Sequence, residues 1–258
     1  MDLTNISNRS TLIAITLLLL LIVIYGNVSE QLTLKSYIVT NYMYIFYAFL
    51  LIIFLNEEKI VPEIRYGIKL MGLFILTLIL ITLLHTTSKQ NQPIKHLIWF
   101  IFIVCMATML KPIFDIAKDE NILNMVLIRV GVMFLVMTYF AYSRPISFYD
   151  SWYPLLYGGL ISLIVSRLMN FVFSDIDSPS TGFFSREFVI STIAVFLFNG
   201  FLLYDTQKII KEGIILNFVC KGKDHLSCAD YPVKSMSIIL DIINLFSSTT
   251  SISRRNIA

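Results

Sequence analysis

Charge is what this chain has least of. Only 14% of its 258 residues are Asp, Glu, Lys or Arg, against about 25% in an ordinary soluble domain. That deficit excludes a soluble globular protein. Histidine is scarce, at three. No His-x-x-x-His or Cys-x-x-Cys pair occurs, so a zinc enzyme lacks a ligand set. There is no Gly-rich phosphate loop and no basic run longer than Arg254-Arg255. Nucleic acid is therefore not an expected partner, and the net charge of +3 adds nothing. Internal repeats and low-complexity tracts are absent. No connecting segment is long enough to hold a soluble domain.

What the chain has instead is hydrocarbon. Hydrophobic residues make up 57% of it. A bilayer-spanning helix needs about 20 apolar residues. Eight runs approach or reach that length: Thr11–Val28, Ser36–Leu55, Tyr66–Leu84, Lys95–Leu110, Ile122–Tyr142, Pro154–Phe173, Arg186–Ile210 and Val233–Ser253. The fourth is short and the eighth only partly apolar, so either could be tilted or re-entrant. The expected fold class is all-α, a polytopic membrane helical bundle. The lipid bilayer is its first partner.

Orientation rests on loop Lys and Arg. If all eight runs cross, Lys59, Arg65, Lys69, Lys111 and Lys118 fall on one side, with Arg9, Arg186 and the C-terminal arginines. Lys35, Lys89, Lys95 and Arg144 fall on the other, with the basic residues between the last two runs. The totals balance. Upstream of that last loop they favour a cytosolic N-terminus. The first run reads as an uncleaved signal anchor: its n-region is weakly charged, and the run is long for a signal peptide.

Cysteine is also sparse, at three. Cys105 lies in an apolar run and reads as core. Cys220 and Cys228 share the polar loop before the last run. They could form a disulfide if that loop faces an oxidising compartment, or remain free thiols. With Asp224 and His225 between them they could bind a metal, though the spacing is not a standard zinc pattern.

Against this background two acidic residues stand out. Asp205 follows the run FVISTIAVFLFNGFLLY. Asp241 sits inside SMSIILDIINLF. A carboxylate at membrane depth costs about 2.5 to 3.5 kcal/mol on insertion scales, and such residues mark ion paths, proton relays or catalytic acids. Ser237, Asp241, Asn244 and Ser248 recur at helical spacing and form one polar face. Such a face should meet protein or water rather than lipid. Asp205 could be an ordinary interfacial carboxylate. An acid near a helix C-terminus opposes the dipole, however, and Ile209-Ile210 continue the apolar character.

These residues resemble the Bax-inhibitor-motif transmembrane family. FNGFLLYDTQKII, residues Phe198–Ile210, looks like that family's sixth helix with its Leu-Tyr-Asp-Thr-Gln core. YPVKSMSIILDIINLF, Tyr231–Phe246, looks like its last helix. The growth-hormone-inducible branch and the bacterial calcium-leak members are most similar. Upstream the likeness thins to hydropathy, with Asn170 and Ser178-Pro179 as fainter echoes.

The resemblance implies a seven-helix core from residue 36 to 258, preceded by a tail and signal-anchor-like segment over 1–35. It also implies a calcium leak that restrains cell death. Calcium would be the transported ion, with no cofactor, and cell-death regulatory membrane proteins would be further partners. The expected location is endoplasmic reticulum or Golgi, with the mitochondrial inner membrane as alternative. Asp205 and Asp241 would be the ion path and pH gate, sharing a proton and binding calcium weakly. The family's basic latch near the end of its second helix is replaced here by LLHTTSKQ, which offers only His85 or Lys89. Arg129 and Arg167, inside apolar runs, are alternative counterions, or residues that snorkel.

The physics fits a gated cation path. Two close carboxylates at low dielectric cannot both ionise cheaply, so they titrate as a unit. A shared proton would hold two helices together, and its loss would leave an anionic site. Calcium wants about six to eight oxygen ligands. Two carboxylates with Ser237, Asn244 and water make a weak site, which suits conduction.

Two other classes compete. Intramembrane aspartyl proteases also place one Asp on each of two helices, the first after Tyr. Their second motif needs Gly-x-Gly-Asp, and this chain has Ile238-Ile239-Leu240-Asp241. An enzyme is therefore not the expectation. The other class is a non-conducting adaptor in which the aspartates only lock helix packing.

Overall fold

The fold is that of a computed structural model. It describes most of residues 32–255 and scattered positions between 11 and 24. Residues 1–10, 25–31, 63–67, 146–149, 174–185, 222–227 and 256–258 lie outside the description, as do the side chains of 68, 167–173, 186 and 255. Among the described residues seven long helices follow one another. They are α1 (Leu34–Glu57), α2 (Ile68–Thr86), α3 (Gln92–Asp119), α4 (Leu123–Ser143), α5 (Tyr153–Phe173), α6 (Arg186–Val219) and α7 (Tyr231–Arg255). A short 3₁₀ turn, Asp150–Trp152, precedes α5. No strand occurs among the described residues. Six of these helices are long and apolar enough to cross a membrane. The protein is an all-α, multi-pass membrane protein.

The described residues between Thr11 and Ile24 are helical too. Ile13 and Leu17 are buried while Leu18 is exposed, the one-sided burial expected at a spacing of four. Local chemistry sets the other ends. Thr33 caps α1: its hydroxyl accepts from the Ser36 amide at 3.1 Å, and the Ser36 hydroxyl accepts from the Thr33 amide at 2.9 Å. This is a capping box built with serine. Lys59 and Asn121 adopt left-handed backbone, at φ 54° and 56°. They close α1 and α3 in the manner of a C-terminal cap.

Two helices are longer than their apolar runs. α3 reaches Asp119 although hydropathy breaks at Lys111-Pro112. The break is bridged because Lys111 is buried and donates to the Asn56 carbonyl at 3.3 Å. Ile113, Phe114 and Ile116 then resume the apolar pattern. Likewise, α6 runs on past Ile210 to Val219, 34 residues in all. At 1.5 Å per residue that is about 51 Å, well beyond a hydrocarbon core of about 30 Å. The eighth run is an unbroken helix, and most of its spanning window is buried.

The chain forms two compact units. The first comprises residues 1–114 and 209–239. Its core holds Ile45, Ala48, Phe102, Ile103, Ile209 and Ile238 around an aromatic cluster. Tyr44 stacks on Tyr231 at 5.5 Å, Tyr37 lies 5.6 Å from Tyr231, and Trp99 meets Tyr44 edge-on at 5.4 Å. The Tyr44 hydroxyl and His96 Nε2 are 2.6 Å apart.

The second unit comprises residues 115–208 and 240–258. Its core holds Val126, Val130, Leu156, Phe198, Leu202, Leu245 and Phe246. There α5 and α6 approach closely at two glycines. A Cβ on Gly159 would lie 2.8 Å from Leu197, and one on Gly200 would lie 2.6 Å from Leu156.

Candidate functional site

Asp205 and Asp241 both belong to the second unit, one on α6 and one on α7. Asp241 is buried at 6% exposure and Asp205 is half-buried. The two carboxylates lie within electrostatic reach of each other. Asp241 Oδ2 is buried with no hydrogen-bond partner among the described residues. It is an acceptor out of water with capacity to spare.

The neighbours of Asp205 fix its place. Gln207 is buried, and its amide donates to the carbonyls of Ala141 at 3.1 Å and Pro145 at 3.0 Å. These are groups at the C-terminal end of α4, where helix carbonyls lack intrahelical partners. Gln207 thus satisfies that end and ties α6 to it. One turn earlier Leu203 packs on Ala141, with Met137 and Tyr204 alongside. Tyr204 also meets the ring of Tyr153 at 5.4 Å. Thr206 is fully buried, and its hydroxyl has no partner among the described residues.

Asp241 lies on a helix buried on nearly all sides. Ile242, Ile243, Leu245 and Phe246 are buried, as are Ser248, Thr249 and Thr250. The apolar residues of α7 are thus core rather than lipid-facing. The polar face is less uniform than its spacing implies. Ser248 is buried, whereas Asn244 and Ser237 are half-buried. Asn244 donates to the Leu240 carbonyl at 2.9 Å and Ser237 to that of Lys234 at 3.2 Å. Both bond back to their own helix. Ser237 belongs to the first unit.

The basic candidates have other contacts. Arg129 donates to the buried Ser253 hydroxyl at 2.9 Å, about 18 Å along α7 from Asp241 at helical rise. The His85 ring pairs with the carbonyl of Ile81 on its own helix, and Lys89 donates to the carbonyl of Cys228 at 3.4 Å. The side chain of Arg167 lies outside the described residues, as do Asn170 and Ser178-Pro179. Cys220 and Cys228 are joined in a disulfide, with Cα atoms 6.1 Å apart. Asp224 and His225 lie outside the described residues. No group of three or more His, Cys, Asp or Glu suited to a metal occurs among the described residues.

Sequence reading missed two buried cations. Hydropathy places Lys95 and Lys111 in loops, yet both lie inside α3. Lys95 is only 1% exposed, and it pairs with Asp230 at 2.6 Å. The available signal was their position at the edges of an apolar run, which hydropathy alone reads as an exit from the membrane.

Fold and site together describe a polytopic helical membrane protein with two carboxylates, on two of its helices, within electrostatic reach of each other. The family described as inhibitor of apoptosis-promoting Bax1 matches residues 11–255. The chain belongs to that family. The match takes in the first apolar segment as well as the stretch from Ser36. A relative, Protein LIFEGUARD 4 of Arabidopsis thaliana, is 26% identical over 167 residues. That alignment covers 64% of this chain and 59% of the relative.

Proposed function

We propose that this chain is a pH-sensitive calcium leak channel that modulates calcium stores of an internal membrane and restrains apoptosis. The observation that carries the reading is that Asp205 lies within electrostatic reach of buried Asp241, whose Oδ2 has no hydrogen-bond partner among the described residues. A proton shared by the two carboxylates turns repulsion into attraction and holds α6 to α7 at that level. When the pH rises and the proton leaves, two anions face each other in a poorly solvated place. The helices then separate or admit a cation. Calcium, a hard ion with oxygen preference, fits that demand. Few fixed ligands mean weak binding, as passage requires. Endoplasmic reticulum or Golgi is the proposed site, with cell-death regulatory membrane proteins as partners.

The test uses the full chain in liposomes loaded with a calcium indicator, with flux followed across external pH. Wild type leaks more as pH rises. Asp205→Asn and Asp241→Asn each flatten that dependence, and the double variant adds little to either, because the pair acts as a unit. Unchanged leak and pH response in both single variants would sink the proposal. A wild type inert to calcium that still captures a cell-death regulator would favour the adaptor reading.

A further inference from the structure

Three links converge on the residues that precede α7, all within the first unit. Lys95 donates to Asp230 Oδ2 at 2.6 Å and to the Thr87 carbonyl at 3.0 Å. Lys89 donates to the Cys228 carbonyl. The Cys220–Cys228 disulfide ties the same point to the end of α6. All four groups at the junction are buried: Cys220, Cys228 and Asp230 are each under 9% exposed, and Lys95 is at 1%.

The ion pair tolerates little movement. Asp230 Oδ1 is buried with no partner among the described residues, and among these residues it is Lys95 that compensates the carboxylate. A buried charge that loses its partner is left uncompensated at low dielectric. Asp230 lies two residues past Cys228, so a disulfide there fixes the carboxylate against its lysine.

We propose that the Cys220–Cys228 disulfide is a redox clasp on the Lys95–Asp230 ion pair, holding Asp230, the residue just before α7, against its lysine while oxidised and releasing it when reduced. The reductant is a thiol-class donor. Its thiolate attacks one sulfur, giving a mixed disulfide and one cysteine thiolate. A second donor thiol resolves the mixed disulfide. Cys220 and Cys228 take up two electrons and two protons and become thiols, and the donor leaves as a disulfide. The clasp stays closed in an oxidising compartment and opens in a reducing one. Release is local. Tyr231 remains held between Tyr37 and Tyr44, and Lys234 remains paired with Glu212 of α6.

The experiment uses the full chain in detergent micelles, in a Cys105→Ala background. A maleimide-polymer reagent under denaturing conditions should add no tag to oxidised protein and two after reduction. Reduction should lower the thermal midpoint by about 5 °C. In Asp230→Asn the reductive shift should be less than half as large, because the ion pair is already gone. Equal shifts with and without Asp230, or tagging without reductant, overturn the proposal. Hydrogen exchange on the otherwise unaltered chain is a second measure that needs no folded ion-pair variant. The Lys234 amide donates to the Asp230 carbonyl at 3.1 Å. Its exchange should quicken at least tenfold on reduction, and an unchanged rate overturns the clasp.

Discussion

A lysine inside a membrane helix is costly unless something takes up its charge, and Lys95 has two acceptors. Breaking a buried pair from one side costs about 3 to 5 kcal/mol, while replacing both partners by apolar groups of similar volume is often neutral. Lys95→Met should therefore lower the thermal midpoint strongly in detergent. Adding Asp230→Leu should recover most of the loss. A double variant as unstable as the single one would show that the pair is not the source. The same reasoning separates this pair from the two aspartates. Asp205 and Asp241 carry like charge, so their proximity is a liability unless a proton or a cation is present. Sequence made the aspartates legible, because a carboxylate in FLLYDTQ or IILDIINLF interrupts an apolar run. It hid Lys95 and Lys111, which sit at run edges and gain their burial from distant groups such as Asp230 and the Asn56 carbonyl.

Helices in this protein are held by close approach as much as by apolar area. Gly213 of α6 shows this. A Cβ there would lie 2.7 Å from Tyr37 and 2.9 Å from Leu34. Tyr37 is fully buried against Tyr231 and its ring has nowhere to go. Gly213→Ala should cost about 1 to 3 kcal/mol through overpacking, although alanine favours a helix by about 1 kcal/mol over glycine. Gly131→Ala on α4, where nothing lies within 4 Å, should be neutral or mildly stabilising. Thermal unfolding of the two variants beside wild type checks both signs. Element identity was readable from hydropathy, since each described helix overlaps an apolar run. Element length was not. α3 and α6 overran their runs because charged residues at the ends found partners: Lys111 with Asn56, and Glu212 with Lys234.

For the whole molecule the surface matters most. Leu135, Leu155, Phe196 and Phe218 are each at least 65% exposed, and many other large apolar side chains lie open. In water such patches aggregate. In a bilayer the acyl chains cover them. Expressed in cells, the chain should stay in the membrane pellet after an alkaline carbonate wash. Purified, it should precipitate when detergent is diluted below its micelle-forming level. Recovery in the carbonate supernatant would contradict the membrane assignment. Composition and periodicity alone determined that this is an all-α membrane protein and which helices carry its acids, because hydropathy and helical spacing are local properties of the chain. Tertiary structure decided which charges meet. Asp205 comes within electrostatic reach of Asp241, Lys95 finds Asp230, and Arg129 turns to Ser253. These contacts join residues far apart in the chain, so they depend on how the helices pack, which no local pattern encodes.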